Sequence, residues 1–415
     1  MGSTVPELQN LEFPGQVTNV EVPIRLWLAA SLSVEWWCMY LAAPMGDSPE
    51  ARRYNRINRF LTVADAMLGL ELMLVLWLSN GSNELRDLSF SLGFQNYAFA
   101  LFLYVLFLSL IGKLLSLAVD YYSFRLDREY QLSHQRMRSW VWDQVKGFLV
   151  SLVISALLAE LLYACIRQWP QAWWIVCWAF FLGLFVLFAQ LAPIVLFPIF
   201  YHFKPLENEG LRERLTQLSA RAGTKVRGVY EWMLSEKSEK ANAALTGLGN
   251  TRRIILADTL LSKYSDDEVE AVLAHELGHH VHKHILKSIL MQAGISFLGF
   301  WLLKLVVRYS YQEANWFNSQ YDFANLPLIV LVASGLSLVL LPALNAYSRF
   351  NERQADRYAW LNIASIEPFI SAMNKLAVQN LSERNPPRWV EILFNSHPPV
   401  GKRIAAAEAW GAKQG

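Results

Sequence analysis

Residues 265–284 read SDDEVEAVLAHELGHHVHKH. Within this stretch His275 and His279 are four residues apart, so on a helix both side chains project from one face, about one turn apart. A single zinc ion can bridge two histidines at this separation, and Glu276 beside them is placed to take a proton from the attacking water. The pentad HELGH therefore predicts a helix that carries two zinc ligands and a general base.

The alternative to a metal site is a solvated helix with two surface histidines. The chain has eight histidines, and an HExxH pattern would arise by chance in about one in a hundred such sequences, which favours the metal site. Three more histidines follow the pentad, at His280, His282 and His284. The angular offsets of His280 and His284 from His275 place them beyond the ligand face, and His282 lies a further turn along. We predict surface or interface positions for all three.

A catalytic zinc needs a third protein ligand and an open position for water. The candidate is the sequence NERQAD at residues 351–356, in which Glu352 and Asp356 are again one helical turn apart. Glu352 would complete a His2Glu site, and Asp356 would accept a hydrogen bond from a ligand histidine and fix its tautomer. Viewed alone, an acidic pair at this spacing is more typical of an exposed charged helix. The spacing by itself does not distinguish a metal ligand and its supporting carboxylate from an exposed charged helix.

The rest of the chain has the composition of a membrane protein. Of its 415 residues, 54% are hydrophobic and only 17% are charged, a balance that argues against a purely soluble fold. Six apolar stretches are firm candidates for membrane spans. A seventh stretch, at 24–43, is interrupted by Arg25 and Glu35 and could instead lie along the membrane interface, so a total of six or seven spans stays open. The six firm apolar stretches, each long enough to cross a bilayer, are 60–78, 97–119, 145–166, 173–200, 285–307 and 326–346.

Charged loops predict the orientation, because Lys and Arg concentrate on the cytoplasmic side of a membrane. The loops after the first, third and fifth apolar stretches carry one basic residue each, at Arg86, Arg167 and Arg308, whereas the segments on the other side carry several. Alternation of the spans therefore places residues 202–284 and the tail after Tyr347 on the cytoplasmic side. The net charge of +2 shows no large basic surface, which argues against a nucleic-acid partner. The basic residues that mark the cytoplasmic side lie before the first apolar stretch and around the loop between the second and third: Arg52, Arg53, Arg56, Arg59, Arg125, Arg128, Arg136, Arg138 and Lys146.

Two polar regions flank the last two apolar stretches, and we predict that they form one small α+β domain split by a helical hairpin. Alternating runs at 226–233, 242–248 and 253–257 predict the strands of a small sheet. Ser265 followed by Glu268 predicts a capping box at the start of the HELGH helix. The expected segments are a membrane region with about five spans (1–202), the first part of a zinc protease domain (203–284), the hairpin (285–347) and the second part of that domain (348–415).

A set of motifs in a fixed order gives the chain a family resemblance. HELGH is followed by a two-span hairpin, then by SRFNERQAD at 348–356 and by SHPP at 396–399. Over residues 191–403 the segments PIFYHFKPLENEGLRERL, ANAALTG, LADTLLS and HPPVGKR also occur in order. With this set the chain resembles the type I CAAX prenyl protease family of integral-membrane zinc metalloendopeptidases. The pentad alone is shared by many zinc proteases, whereas the ordered set is much more specific.

The resemblance implies a mainly α, multi-pass fold, with a gluzincin-like α+β protease domain at the cytoplasmic end of a ring of seven helices around a water-filled chamber. It implies that Glu352 is the third zinc ligand and that Asp356 supports a ligand histidine. It further implies that Asn242 on an edge strand holds the substrate backbone, that His397 helps to stabilise the oxyanion and that Arg403 supports the site. Without the family, these last three would be a turn asparagine, a helix-start histidine and a surface arginine.

Three departures from the eukaryotic members bear on location and substrate. The region before Phe60 is short, Ala243 and Ala244 stand where an aromatic residue often follows the matching asparagine, and the final WGAKQG has no dilysine-type retrieval signal. We therefore expect a multi-pass protein of a bacterial inner membrane rather than of the endoplasmic reticulum. Because prenylated CaaX proteins are chiefly eukaryotic, dependence on a prenylated substrate stays open.

The function expected from the residues and the resemblance together is a zinc metalloendopeptidase with one Zn²⁺ per chain. Its partners would be the lipid bilayer and a peptide or protein substrate, cut near the C-terminus of prenylated or related peptides. One alternative is a quality-control membrane protease that clips misfolded chains at the same zinc site. Another is a zinc-stabilised transporter or receptor, since Asp65, Glu71 and Glu160 inside predicted spans would suit an ion pathway as well as a chamber wall.

Overall fold

A computed structural model of the protein describes residues 47–247 and 252–414. Its first helix starts well before the apolar stretch at 60–78, because Ser48 caps it: the Ser48 Oγ accepts a hydrogen bond from the Ala51 N–H at 3.0 Å, and Pro49 suits the first helical position. The helices up to residue 200 are α1 (Pro49–Leu78), α2 (Gly81–Leu92), α3 (Tyr97–Glu129), α4 (Met137–Gln168), α5 (Trp173–Leu191) and α6 (Phe197–Phe200).

The stretch predicted as one span at 173–200 is divided in the structure. Helix α5 ends at Leu191, a π-helical turn covers Ala192–Leu196, and α6 follows. Pro193 lies in this turn and has no backbone N–H to donate, so the regular helical hydrogen-bond pattern cannot run through it. The chain therefore leaves the membrane region through an irregular turn.

A mixed four-stranded sheet follows. The strands, with the helix among them and the short helix after them, are β1 (Phe203–Pro205), α7 (Glu209–Arg221), β2 (Gly228–Trp232), β3 (Ala243–Thr246), β4 (Arg253–Ala257) and α8 (Asp258–Leu261). The strand order is β1-β2-β4-β3, with β2 and β4 parallel and the two outer pairs antiparallel. The three predicted strands are confirmed, and β1 is an addition that the sequence did not suggest.

The HELGH helix is α9 (Asp266–Val281), and its predicted capping box is confirmed. The Ser265 Oγ accepts a hydrogen bond from the Glu268 N–H at 3.3 Å, and the Glu268 carboxylate accepts one from the Ser265 N–H at 2.7 Å. The remaining helices are α10 (His284–Gln312), α11 (Leu326–Asn362), α12 (Glu367–Gln379), α13 (Arg388–Phe394) and α14 (Val400–Gly411).

Six helices in the described part of the chain are long and apolar enough to cross a membrane: α1, α3, α4, α5, α10, and α11 together with the 3₁₀ turn before it. This confirms the six predicted spans and the mainly helical fold class. The seventh candidate at 24–43 lies outside the described residues.

One hydrophobic core contains residues from both sides of the α10–α11 hairpin. Ile254 of β4 and Leu273 of α9 come before the hairpin, whereas Phe369 of α12 and Ile404 of α14 come after it, and all four are buried in the same cluster. Full burial of one such side chain contributes about 1.5–3 kcal/mol to folding. This core joins the two polar segments and fixes α9 against α11, the two helices that carry the candidate ligands.

Candidate active site

Three predicted ligands meet where α9 packs against α11. The His275 and His279 Nε2 atoms are 3.3 Å apart. From α11, the Glu352 Oε2 lies 3.2 Å from the His275 Nε2, and the Glu352 Oε1 lies 3.3 Å from the His279 Nε2. Glu352 is 4% exposed, so its carboxylate is buried between the two imidazoles.

The spacing of these atoms fits a zinc ion. In a tetrahedral site with metal–ligand bonds of about 2.0–2.1 Å, neighbouring ligand atoms are about 3.3 Å apart. The two Nε2 atoms have this spacing, at 3.3 Å, and the carboxylate meets one ring with its Oε2 at 3.2 Å and the other with its Oε1 at 3.3 Å. The Glu352 carboxylate is buried, and its two oxygens face the Nε2 atoms of His275, His279 and His397 at 3.2–3.3 Å. Since a buried carboxylate is costly unless it is paired with positive charge, this group suits a bound cation.

His275 is held from behind by a carboxylate. Its Nδ1 lies 2.8 Å from the Asp356 Oδ1, and the Arg403 guanidinium binds the same carboxylate through Nη2 at 2.5 Å and Nε at 2.9 Å. Burial lowers the pKa of His275, but the hydrogen bonds with Asp356 and Glu352 outweigh this and raise the pKa to about 9. His275 of α9, Asp356 of α11 and Arg403 of α14 are thus linked by consecutive polar contacts behind one candidate ligand.

Glu276 follows His275 on α9 and is half-buried. Its neighbours on both sides of the sequence are buried, so the core fixes the backbone of this turn while the Glu276 side chain stays accessible to water. This combination suits a general base, which must meet a solvent-derived proton in a fixed position.

His397 lies in the turn before α14, beside the third ligand. Its Nε2 is 3.2 Å from the Glu352 Oε1, and its Nδ1 is 3.0 Å from the Ser396 Oγ. The side chain is 62% exposed, so it borders the site at the solvent side. Asn242 is also exposed, and it lies just before β3, where its carbonyl oxygen accepts a hydrogen bond from the Ala257 N–H at 3.0 Å.

Of the two positions predicted for His284, surface or interface, the surface position is wrong. His284 is 4% exposed, and its Nδ1 lies 3.0 Å from the His279 Nδ1. The predicted offset assumed one continuous helix from His275, whereas α9 ends at Val281 and Lys283 has a positive φ of 57°. Spacing in the sequence could not reveal this turn. None of the three extra histidines belongs to the cluster of potential metal ligands among the described residues.

Two family profiles match consecutive parts of the chain. The profile of peptidase family M48 matches residues 205–411, and the profile described as "CAAX prenyl protease N-terminal, five membrane helices" matches residues 47–202. The first range contains all the candidate site residues, and the second contains α1 to α6. The division falls at β1, where the chain passes from the N-terminal helices into the sheet.

Curated relatives and a solved structure agree with the profiles. The "uncharacterized metalloprotease YhfN" of Bacillus subtilis is 33% identical over 86% of this chain and 84% of its own length. CAAX prenyl protease 1 of Saccharomyces cerevisiae is 27% identical, covering 72% of this chain and 70% of its own length. The crystal structure of S. mikatae Ste24p has the same fold, with a TM-score of 0.79 at 23% identity over 88% of this chain and 90% of that one.

Proposed function

The chain belongs to the CAAX prenyl protease family within peptidase family M48, and from this premise we propose that it hydrolyses peptide bonds at a zinc site. We assign one zinc ion to His275, His279 and Glu352. The observation that carries the proposal is that the two Nε2 atoms are 3.3 Å apart and that each has one of the two Glu352 carboxylate oxygens at 3.2–3.3 Å. When bound, zinc supplies a Lewis acid that lowers the pKa of water toward about 7 and polarises a peptide carbonyl.

Glu276 acts as the general base in this proposal. It lies between the two ligand histidines in sequence, on the same helix, and its half-exposed carboxylate can accept the proton of the attacking water. The same group then delivers that proton to the leaving amine. Proton transfer by a positioned side chain contributes about 10²–10⁴-fold to the rate.

His397 donates a hydrogen bond to the substrate carbonyl oxygen as that oxygen gains negative charge. If the Ser396 hydroxyl donates to the His397 Nδ1, the ring proton is on Nε2, which points toward Glu352. A donor held beside the candidate ligands lies close to the place where this charge develops, which is what oxyanion stabilisation requires.

The substrate binds as an added strand beside β3. Strand β3 pairs with β4 on one side, is the last strand of the described sheet, and lies against α9. An extended peptide can hydrogen-bond to such an edge and pass over the HELGH helix. Asn242 at the start of β3 is exposed, so its amide is available to hold the substrate backbone.

We place the site at the cytoplasmic face of the membrane, in a bacterial inner membrane. The support for the orientation is the cluster of arginines at 52–59 and 125–138 against single basic residues in the alternate loops. The 33% identity with the Bacillus subtilis protein supports a bacterial location. Substrates would then be cytoplasmic peptides, prenylated or related in sequence to CaaX termini.

Cleavage of matched peptides tests the proposal. The purified, zinc-loaded protein is incubated with farnesylated and unmodified forms of one CaaX peptide, and mass spectrometry locates the cut bond. Cleavage near the C-terminus that depends on the isoprenoid supports CAAX processing. Efficient cleavage of unmodified, unfolded chains at internal sites would instead assign the protein to quality control, and a zinc-loaded protein that cuts neither kind of substrate would overturn the proposal.

A further inference from the structure

A second buried histidine lies behind His279, on the side away from the other ligands. The His284 Nδ1 is 3.0 Å from the His279 Nδ1, and the His284 Nε2 is 2.9 Å from the Gln354 Oε1. His284 is 4% exposed. These two contacts link His279 of α9 to His284, the first residue of α10, and His284 to Gln354 of α11. Gln354 is two residues after Glu352.

A strained turn brings His284 to this position. Helix α9 ends at Val281, and Lys283 adopts a left-handed conformation with φ 57° before α10 begins at His284. For a residue with a side chain this conformation costs about 1–2 kcal/mol. Backbone hydrogen bonds hold the turn, since the Lys283 N–H donates to the His280 carbonyl oxygen and the Lys287 N–H donates to the Lys283 carbonyl oxygen, each at 3.0 Å.

We propose that His284 and Gln354 set the tautomer of His279 and thereby prepare it to bind zinc. The His279 Nε2 faces His275 and Glu352, and a nitrogen that binds metal must carry a free lone pair. The ring proton of His279 must then be on Nδ1, where it is donated to the His284 Nδ1. His284 in turn carries its own proton on Nε2 and donates it to the Gln354 Oε1.

The two ligand histidines therefore have different supports. His275 donates to the Asp356 carboxylate, which Arg403 holds, whereas His279 donates to a neutral imidazole that Gln354 holds. Groups behind metal ligands orient the ring, and their loss typically lowers metal affinity about 10–100-fold. His284 is accordingly a positioning residue, since it acts on the metal through His279.

The inference rests on the proposed zinc site, and the test measures zinc affinity as well as activity. Wild-type protein and the variants His284→Leu, His284→Asn and Gln354→Leu are purified in detergent, and zinc affinity is measured by competition with a chromophoric chelator. His284→Leu removes the acceptor, and we expect affinity to fall about 10–100-fold. His284→Asn offers its Oδ1 at the place of Nδ1, and we expect it to restore most of the affinity. Gln354→Leu should give an intermediate loss.

His282 provides a matched control, because its ring stacks on His284 at 5.5 Å. His282→Ala should bind zinc as the wild type does. The visible spectrum of the cobalt-substituted protein gives a second readout, which should change in His284→Leu and return in His284→Asn. If His284→Leu fails to fold, the same comparison is made with Gln354→Leu. Wild-type affinity in a folded His284→Leu or Gln354→Leu protein would overturn this inference alone, whereas a wild-type protein that binds no zinc would overturn the proposed function.

Discussion

Gly278 of α9 lies against Ala355 of α11 so closely that a β-carbon on Gly278 would be 2.8 Å from the Ala355 Cα and 3.0 Å from its carbonyl oxygen. Non-bonded carbon atoms do not approach to 2.8 Å. The contact lies one residue from His279 and three from Glu352, so it joins the helix with the two candidate histidine ligands to the helix with the candidate carboxylate ligand. We therefore expect the absence of a side chain at Gly278 to set the width of the proposed metal site.

Replacing Gly278→Ala should separate α9 from α11 and weaken zinc binding. We expect at least a tenfold loss of zinc affinity and a destabilisation of about 1–3 kcal/mol from overpacking. Chelator competition and thermal unfolding in detergent measure the two effects. Gly335→Ala in α11 is the matched control, because a β-carbon there would meet nothing within 4 Å. Equal zinc affinity in a folded Gly278→Ala protein would show that the helix spacing does not control the site.

Replacing Glu276→Gln should separate metal binding from catalysis. Glutamine has nearly the same shape but cannot take a proton, so we expect stoichiometric zinc and a loss of about 10²–10⁴-fold in turnover. Metal analysis and a peptide-cleavage assay on the same preparation test this. Turnover near the wild-type rate would refute the role of Glu276 as base, and loss of zinc would show that it supports the ligands instead.

Much of the site could be predicted because it depends on local spacing. The i, i+4 separation of His275 and His279, and again of Glu352 and Asp356, survives folding whenever the segment is helical. The capping box at Ser265 is equally local and is present as predicted. Long apolar stretches likewise predict membrane helices from composition alone.

The features that could not be predicted depend on backbone breaks and on contacts between distant segments. His284 reaches His279 because Lys283 turns the chain with φ 57°, and no sequence rule marks a lysine for that conformation. The proposed role of Arg403 depends on the packing of α14 against α11, and in the sequence only the family resemblance indicates it. Strand β1 contains three residues and ends in Pro205, too little for an alternating pattern.

The capping carboxylate of α9 should make stability depend on acid pH. Burial opposes the charged form of Glu268, but Lys375, Ser371 and the Ser265 N–H outweigh this and lower its pKa from 4.5. A lowered carboxyl pKa stabilises the fold above the unfolded-state pKa, and this contribution disappears as the pH falls through the folded-state pKa. Glu268→Gln should therefore lower the unfolding temperature at neutral pH, and the difference from wild type should shrink below a pH of about 4.5. A difference that stays constant with pH would contradict the argument.

Zinc binding to the metal-free protein should release a proton near neutral pH. Burial lowers the pKa of His275, but its hydrogen bonds with Asp356 and Glu352 raise the pKa to about 9, so at a pH of about 7.5 the metal-free imidazole is protonated. A ligand histidine must be neutral, and zinc therefore displaces this proton. The apparent affinity should rise with pH and level off above about 9. Calorimetry in buffers of different ionisation enthalpy counts the protons released. Asp356→Asn removes one cause of the raised pKa and should reduce that count, whereas binding by the wild type without any proton release would show that His275 is already neutral.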